Sequence, residues 1–381
     1  MVNSLKKQLA ILGSTGSIGR QTLQVVRNLA GRFQVFGLTA GYNLELLSEQ
    51  IAEFHPEYTF SRDNSNLITH NTKLLSPEEI ACHPDVDLVV IATSGKAGLS
   101  ATLAAIKAGK KVAIANKEPL VMAGEIIIRE AQLSGAEIIP IDSEHSAIWQ
   151  CLNGEPQPPQ RIILTASGGP FRNYSQEQLL AVTAQQALKH PSWQMGKKVT
   201  IDSATMMNKG LEIMEAHWLF GVPLANIDVI IHPQSIIHSM VEFAGGSFKA
   251  QLSYPDMRLP IQYALTHPDR VSNPDLPELD WKKIKELTFE PPDYKKFPCL
   301  ELTLKAAGTG GTAPSVLCAA DEIAVELFMQ ASIKFTDIAR LVELALQEHQ
   351  SISHPTLDQI LAADNWAREK TKENFKKAKT C

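Results

Sequence analysis

Two clusters of side chains in this sequence carry the types and spacing that chemistry needs. Asp142 and Glu144, in Pro140-Ile141-Asp142-Ser143-Glu144-His145-Ser146, are two apart, so in extended backbone both carboxylates point to one side. Two hard oxygen ligands on one face suit Mg²⁺ or Mn²⁺. The same residues read equally well as a helix N-cap, from Asp142 or Ser143, followed by first-turn charge. In VTIDSATMMNKGLEIMEAHWLF (199–220), Asn208, Glu212 and Glu215 fall at i, i+4 and i+7 on one helical stripe, while Met207, Leu211 and Met214 trace an apolar one. Glu212 could complete a three-carboxylate site. Ser203, Asn208 and Lys209 gather hydroxyl, amide and ammonium groups near a helix start, the ingredients of a phosphate-binding corner. A capped, solvated amphipathic helix is the plainer alternative.

Other candidates surround these. Lys117, in Ala115-Asn116-Lys117-Glu118, sits where a strand should end and could neutralise developing negative charge or bind phosphate, or form a salt bridge to Glu118 or to the solvent-facing helix. His190-Pro191-Ser192-Trp193-Gln194-Met195-Gly196 is either a lid whose Trp193 covers a ligand or a surface loop with its Trp tucked away. His217, His232 and His238 fit satisfied core histidines. Gly13-Ser14-Thr15-Gly16-Ser17-Ile18-Gly19 follows the first apolar run and opens a helix, which is how a pyrophosphate is brought onto a helix N-terminus. The second strand then ends Ala40-Gly41-Tyr42-Asn43, with no acidic residue to hold an NAD ribose and no cation for a 2′-phosphate.

The elements that must position these groups follow from periodicity. Apolar runs at 8–12, 34–40, 86–92, 111–115 and 136–141 are separated by helix-sized segments, the pattern of βαβ units and a doubly wound parallel sheet. Beyond Glu155-Pro156-Gln157-Pro158-Pro159, strands are expected at 161–167, 228–233, 239–243 and 247–254, antiparallel by their alternation. The Pro-rich stretch 267–298 reads as a long surface connection, and 300–309, 313–331, 336–350 and 356–379 as helices. The fold class expected is α/β: a Rossmann-type doubly wound parallel sheet, an α+β catalytic domain and a C-terminal helical bundle. The boundaries are 1–150, 151–285, a linker at 286–310, and 311–381. With 381 residues the chain has room for two or three domains at about 150 residues each.

Composition narrows the function classes. The net charge of −5 leaves no positive field for a nucleic-acid backbone, and no apolar run approaches the ~20 residues of a membrane span. A soluble, cytoplasmic protein is expected. Cys82, Cys151, Cys299, Cys318 and Cys381 show neither zinc spacing nor close pairing, in keeping with a reducing compartment.

The succession GSTGSIG, ANKE, IDSEHSAI, TASGGPF, HPSWQMGKK, TIDSATMMNKGLE and IHPQSIIHSMVEF closely resembles the 1-deoxy-D-xylulose 5-phosphate reductoisomerase family over about residues 8–310, and more weakly over the helical tail. The resemblance implies a homodimeric NADPH-dependent oxidoreductase of isoprenoid biosynthesis. Such an enzyme isomerises a sugar phosphate, 1-deoxy-D-xylulose 5-phosphate, and reduces it to 2-C-methyl-D-erythritol 4-phosphate. Asp142, Glu144 and Glu212 match the family's Mn²⁺ or Mg²⁺ ligands, with Lys117 beside them in catalysis. Lys117, Ser143, Glu144, Ser167, His190, Trp193, Ser203, Asn208, Lys209 and Glu212 match its substrate contacts, the phosphate falling to Ser167, Ser203, Asn208 and Lys209. Thr15, Gly16, Ser17, Ile18, Gly41, Asn43, Asn116, Glu118 and Gly196 match its NADPH contacts, and 190–196 its mobile loop, with Trp193, Met195 and Met257 lining the pocket. Tyr42 departs from the family, some members of which carry a basic residue there. Two rivals compete with this reading. A metal-free dehydrogenase of the semialdehyde type would need a nucleophilic Cys, and a dinucleotide sensor would turn nothing over.

Overall fold

The computed structural model describes residues 6–29, 31–63, 72–193 and 195–380. Its first sheet has seven strands: β1 (Lys7–Leu12), β2 (Phe33–Ala40), β3 (Tyr58–Ser61), β4 (Lys73–Leu74), β5 (Leu88–Ile91), β6 (Lys111–Ile114) and β7 (Ile138–Pro140). They lie in the order β4-β3-β2-β1-β5-β6-β7 with every pairing parallel. Burial of all four β5 residues and of the carboxyl half of β1 is what a strand covered on both faces requires. Helices α1 (Ser17–Asn28), α2 (Leu44–Phe54), α3 (Pro77–Cys82) and α4 (Leu99–Lys107) run between strands, and α5 (Glu118–Ser134) and α6 (Ser143–Leu152) follow β6 and β7. Five strands coincide with the apolar runs of the sequence. The other two escaped because Tyr58-Thr59-Phe60-Ser61 alternates with polar residues and Lys73-Leu74 is only a pair.

Strand order reverses between β1 and β5. In an open parallel sheet this switch point leaves a crevice outside the carboxyl ends, where ligands bind. The chain divides into two compact units, the first formed by the described residues of Met1–Pro119 with Ile126–Ser146 and Asp256–Glu278. The last of these segments packs on α1 and is held there by Arg32 to Asp269 (3.2 Å) and Asn28 to Asp275 (2.9 Å).

The second unit comprises Leu120–Glu125, Ala147–Pro255 and the described residues of Leu279–Cys381. Its sheet begins with β8 (Arg161–Ala166), after which the chain makes α7 (Gln176–Leu179), α8 (Ala184–Ala187), α9 (Lys197–Thr205) and α10 (Met207–Phe220). It is completed by β9 (Ile227–Ile231), β10 (Ile237–Glu242) and β11 (Phe248–Leu252), in the order β11-β10-β8-β9. β10 is antiparallel to β8 and to β11, as the alternation suggests, but β8 and β9 are parallel. Parallel neighbours need a long crossover, and this one carries α7 to α10.

Helix α11 (Arg258–Thr266) closes the segment returned to the first unit, and no described helix or strand follows until α12 (Pro298–Thr309). Pro298 opens that helix within the stretch read as linker, because proline's missing N–H costs nothing at a first helical position. Helices α13 (Ala313–Met329), α14 (Asp337–Glu348) and α15 (Leu357–Thr380) complete the chain, α13 being buried along most of its length between the other two.

Candidate active site

In the first unit every candidate lies just past the carboxyl end of a strand. β1 turns through Gly13, whose φ of +90° suits glycine alone, and a Cβ there would stand 2.6 Å from the Ala92 carbonyl oxygen. The Gly13 and Ser14 N–H groups donate to Thr39 O at 3.0 and 2.8 Å, which fixes the turn against β2. Gly16 caps α1 without any side-chain hydrogen bond, so the cap residue leaves the first-turn N–H groups without a side-chain acceptor. That is the form of a pyrophosphate cradle, and it contains the predicted Thr15, Gly16, Ser17 and Ile18. Past β2, Gly41 has open space around its Cα, Tyr42 is 75% exposed, and Asn43 caps α2 by accepting the Leu46 N–H at 3.2 Å.

Past β6, Asn116, Lys117 and Glu118 are all buried. The Asn116 amide donates to Thr93 Oγ1 (3.2 Å) and Gly95 O (3.0 Å), tying the ends of β5 and β6 together. Lys117 Nζ lies 2.9 Å from Asp142 Oδ2, so its ion pair reaches across to the residue past β7 and not to the solvent. Glu144 is helical, not extended, and Asp142 immediately precedes its helix. Helix α6 begins at Ser143, and the Asp142 carbonyl accepts the Ser146 N–H at 2.8 Å. Asp142 therefore precedes a first turn that holds Glu144, and the helix start, with its excess of N–H groups, accounts for both carboxylates being tolerated there. The Ser143 hydroxyl donates to Glu144 Oε2. The buried His145, with Nδ1 4.0 Å from Asp142 Oδ2, is a member of this group that the spacing argument passed over.

In the second unit the site residues come from the β8–β9 crossover. Gly168 and Gly169 take φ of +80° and +69°, and a Cβ on Gly169 would sit 2.9 Å from Ser203 O, so the turn after β8 presses directly on α9. This brings Ser167 and Ser203 to one imidazole: His190 Nε2 lies 3.1 Å from Ser167 Oγ and 3.0 Å from Ser203 Oγ. The other nitrogen, Nδ1, accepts the N–H groups of Ser192 (3.1 Å) and Trp193 (2.9 Å). A nitrogen that accepts carries no proton, so Nε2 bears the hydrogen and donates toward the two hydroxyls. The half-buried Trp193 ring packs 5.8 Å from His238, and Gly196 caps α9. Gln194 lies outside the described residues.

Met206, at φ +65°, breaks the helix between α9 and α10 and leaves Ser203 in the last turn of one and Asn208 and Lys209 in the first turn of the next. The stripe of Asn208, Glu212 and Glu215 is not solvated: Glu212 and Glu215 are as inaccessible as Met207 and Leu211. A buried carboxylate must be compensated, and Glu212 accepts from both Asn208 Nδ2 and Lys209 Nζ. Lys198 adds a second buried arrangement, pairing with Asp202 (2.6 Å) and Asp321 (3.0 Å) just after the 190–196 loop. The sequence signal for it was Asp321, which follows the apolar run Val316-Leu317-Cys318-Ala319-Ala320 of α13.

The remaining candidates are structural. His232 donates to Thr288 O (3.0 Å), accepts Ile236 N–H (3.3 Å) and stacks on Phe289, and burial lowers its pKa. His217 bonds Val222 O at 2.7 Å. Burial pushes the Cys151 thiol up to about 11 and that of Cys299 higher still, which removes both as nucleophiles. Cys381 lies outside the described residues. No described helix is long and apolar enough to cross a membrane.

Comparison with known proteins identifies the family. Residues 9–124 match the family model for 1-deoxy-D-xylulose 5-phosphate reductoisomerase, residues 138–220 that of its C-terminal domain, and residues 252–370 a DXP reductoisomerase C-terminal domain. The enzyme of that name from Caldanaerobacter subterraneus subsp. tengcongensis is 51% identical over 97% of this chain and 99% of its own. The chain belongs to the 1-deoxy-D-xylulose 5-phosphate reductoisomerase family. The family's Synechococcus sp. member is 50% identical over 95% of this chain and 96% of its own. A solved DOX-P reductoisomerase in complex with NADPH, fosmidomycin and magnesium superposes with a TM-score of 0.94 at 41% identity, covering 98% of this chain and 99% of that one. The reductoisomerase of Zymomonas mobilis in complex with NADPH gives 0.90 at 40% identity, covering 97% and 99%.

Proposed function

We propose that this chain converts 1-deoxy-D-xylulose 5-phosphate to 2-C-methyl-D-erythritol 4-phosphate, using NADPH and a divalent cation, as a step of isoprenoid biosynthesis. The observation that carries this is the coexistence, in a member of the family, of an uncapped dinucleotide turn with Glu212 buried against Asn208 and Lys209. A sensor would need only the first. A semialdehyde dehydrogenase would need an accessible activated thiol at the site; Cys151, Cys299 and Cys318 are buried, and the exposed Cys82 ends α3 ahead of β5, away from the carboxyl ends of the strands.

The donor chemistry of this chain fits both groups. Asp142, Glu144 and Glu212 supply the hard oxygens of a Mg²⁺ or Mn²⁺ site. Thr15, Gly16, Ser17, Ile18, Gly41, Asn43, Asn116, Glu118 and Gly196 are the NADPH contacts, the turn before α1 offering N–H groups to the pyrophosphate. When bound, the cation would polarise the substrate's carbonyl and adjacent hydroxyl, and the nicotinamide would supply the hydride.

The protein's own groups do the rest. Ser167, Ser203, Asn208 and Lys209 hold the substrate phosphate, with His190 fixing the rotamers of both serines through Nε2–H. Lys117, its ammonium set by Asp142, offsets negative charge as the carbon skeleton rearranges. Ser143 orients the Glu144 carboxylate. The 190–196 loop would close with Trp193 over the sugar, Met195 and Met257 lining the pocket, and exclude water from the aldehyde intermediate. The working enzyme is read as a cytoplasmic homodimer whose chain serves as an NADPH-binding part (1–150), a catalytic part (151–285), a linker (286–310) and a helical part (311–381). Carbon NMR of the product tests the reading: it predicts the branched methylerythritol phosphate, and a straight-chain reduced sugar would refute it.

A further inference from the structure

A cofactor with a 2′-phosphate needs a cation near the adenosine ribose, and the end of β2 supplies none: Gly41 and Asn43 are neutral and the residue between them is Tyr42. A cation does stand at the end of the neighbouring strand. Arg62 follows β3 directly, and its backbone N–H donates to Gly41 O at 3.2 Å while the Ser61 hydroxyl donates to the same oxygen at 3.1 Å. These bonds fasten the carboxyl ends of β2 and β3 together. The guanidinium lies over the Tyr42 ring, 5.8 Å from its centroid, and donates to the phenolic oxygen at 3.4 Å. Both side chains are exposed, and among the described residues no carboxylate forms an ion pair with Arg62. A guanidinium placed over an aromatic ring and directing one N–H to its phenolic oxygen has further N–H groups to offer, and a guanidinium edge takes phosphate oxygens in pairs.

We propose that Arg62, stacked on Tyr42, binds the 2′-phosphate of the dinucleotide and is the residue by which this enzyme selects NADPH over NADH. The inference rests on the NADPH reading of the first βα turn. It explains how a tyrosine can stand where some family members carry a basic residue: the ring contributes a platform and the charge arrives from twenty residues on.

The test is calorimetric titration of the full-length protein with NADPH and NADH, with 2′,5′-ADP and 5′-ADP as fragments. Arg62→Ala should weaken NADPH and 2′,5′-ADP by about 10- to 100-fold, the loss of a charge-assisted pair, and leave NADH and 5′-ADP within about twofold. Arg62→Lys should recover part of the loss, and added salt should weaken NADPH binding in the wild type more than in Arg62→Ala. Equal weakening of NADPH and NADH, or none, overturns the proposal while leaving the NADPH site standing. A preference for NADH, with the adjacent exposed Asp63 engaging the ribose, also overturns it. A wild type that binds neither dinucleotide removes the NADPH reading and this inference together.

Discussion

Under the proposed function, the turn before α1 and the corner between α9 and α10 would both hold phosphate, by opposite means. The first uses backbone: Gly16 leaves helix N–H groups uncapped, and Gly13 makes the turn possible by a φ of +90°. The second uses buried side chains, with Lys209 and Asn208 both committed to Glu212, and His190 shared between two serines. A backbone site should tolerate side-chain change and fail only when the chain path is disturbed. A site of buried charges should fail at single atoms, because each removed partner strands another group in a medium that solvates it poorly.

The sharpest break of that contrast is Glu212→Gln. Turnover should fall at least about 1,000-fold, as for loss of a group that acts on charge in the transition state. Leaving Lys209 buried without its carboxylate should cost a further few kcal/mol of stability, about 3–5 at most. Circular dichroism with chemical denaturation separates the two effects, and near-normal turnover would remove Glu212 from the metal site. Gly13→Ala comes next. The new methyl meets the Ala92 carbonyl in a backbone region closed to alanine, so unfolding free energy should drop by roughly 2 kcal/mol or more and NADPH binding should collapse with it.

A smaller pair of variants compares the regions directly. Ser203→Ala removes a hydroxyl bonded to His190 and should raise the substrate KM about tenfold, whereas Ser17→Ala, in a turn that binds through its backbone, should change NADPH affinity by no more than about twofold. Equal effects would erase the distinction.

The smallest expected effect is on pH dependence. Burial lowers the pKa values of His232 and His349, both in the second unit. The unfolded chain takes up protons near an ordinary pKa of about 6.5 while the native imidazoles stay neutral. Their contribution is therefore fully present above about pH 6.5 and is lost as pH falls below it. Urea midpoints at pH 7.5 and 5.5 should differ less in His232→Gln than in the wild type.

The first unit was largely legible from sequence because its signals are local: glycine spacing, apolar runs of strand length, and polar residues placed just past them. The site's chemistry was also visible there, but its geometry was not. Asp142 and Glu144 read equally as extended backbone or as a helix start, and the structure takes the second, with α6 beginning between them at Ser143. The parallel pairing of β8 with β9, the return of Asp256–Glu278 to the first unit, and the pairs Lys117–Asp142 and Lys198–Asp321 all join residues far apart in the chain. No window of sequence contains both partners of such a contact. The burial of α10 was hidden for a related reason, since the helix reads as amphipathic until α12 packs on it, with Thr303 so close to Gly210 that no Cβ would fit.

The central claim is that the backbone-built and the side-chain-built sites serve one reaction. Its most direct test follows NADPH oxidation by the purified protein given 1-deoxy-D-xylulose 5-phosphate and Mg²⁺, before and after excess chelator. Oxidation that requires the sugar phosphate, stops on chelation and returns with added Mg²⁺ is the predicted result. Oxidation indifferent to chelator, or dinucleotide binding with no turnover under either condition, would contradict it.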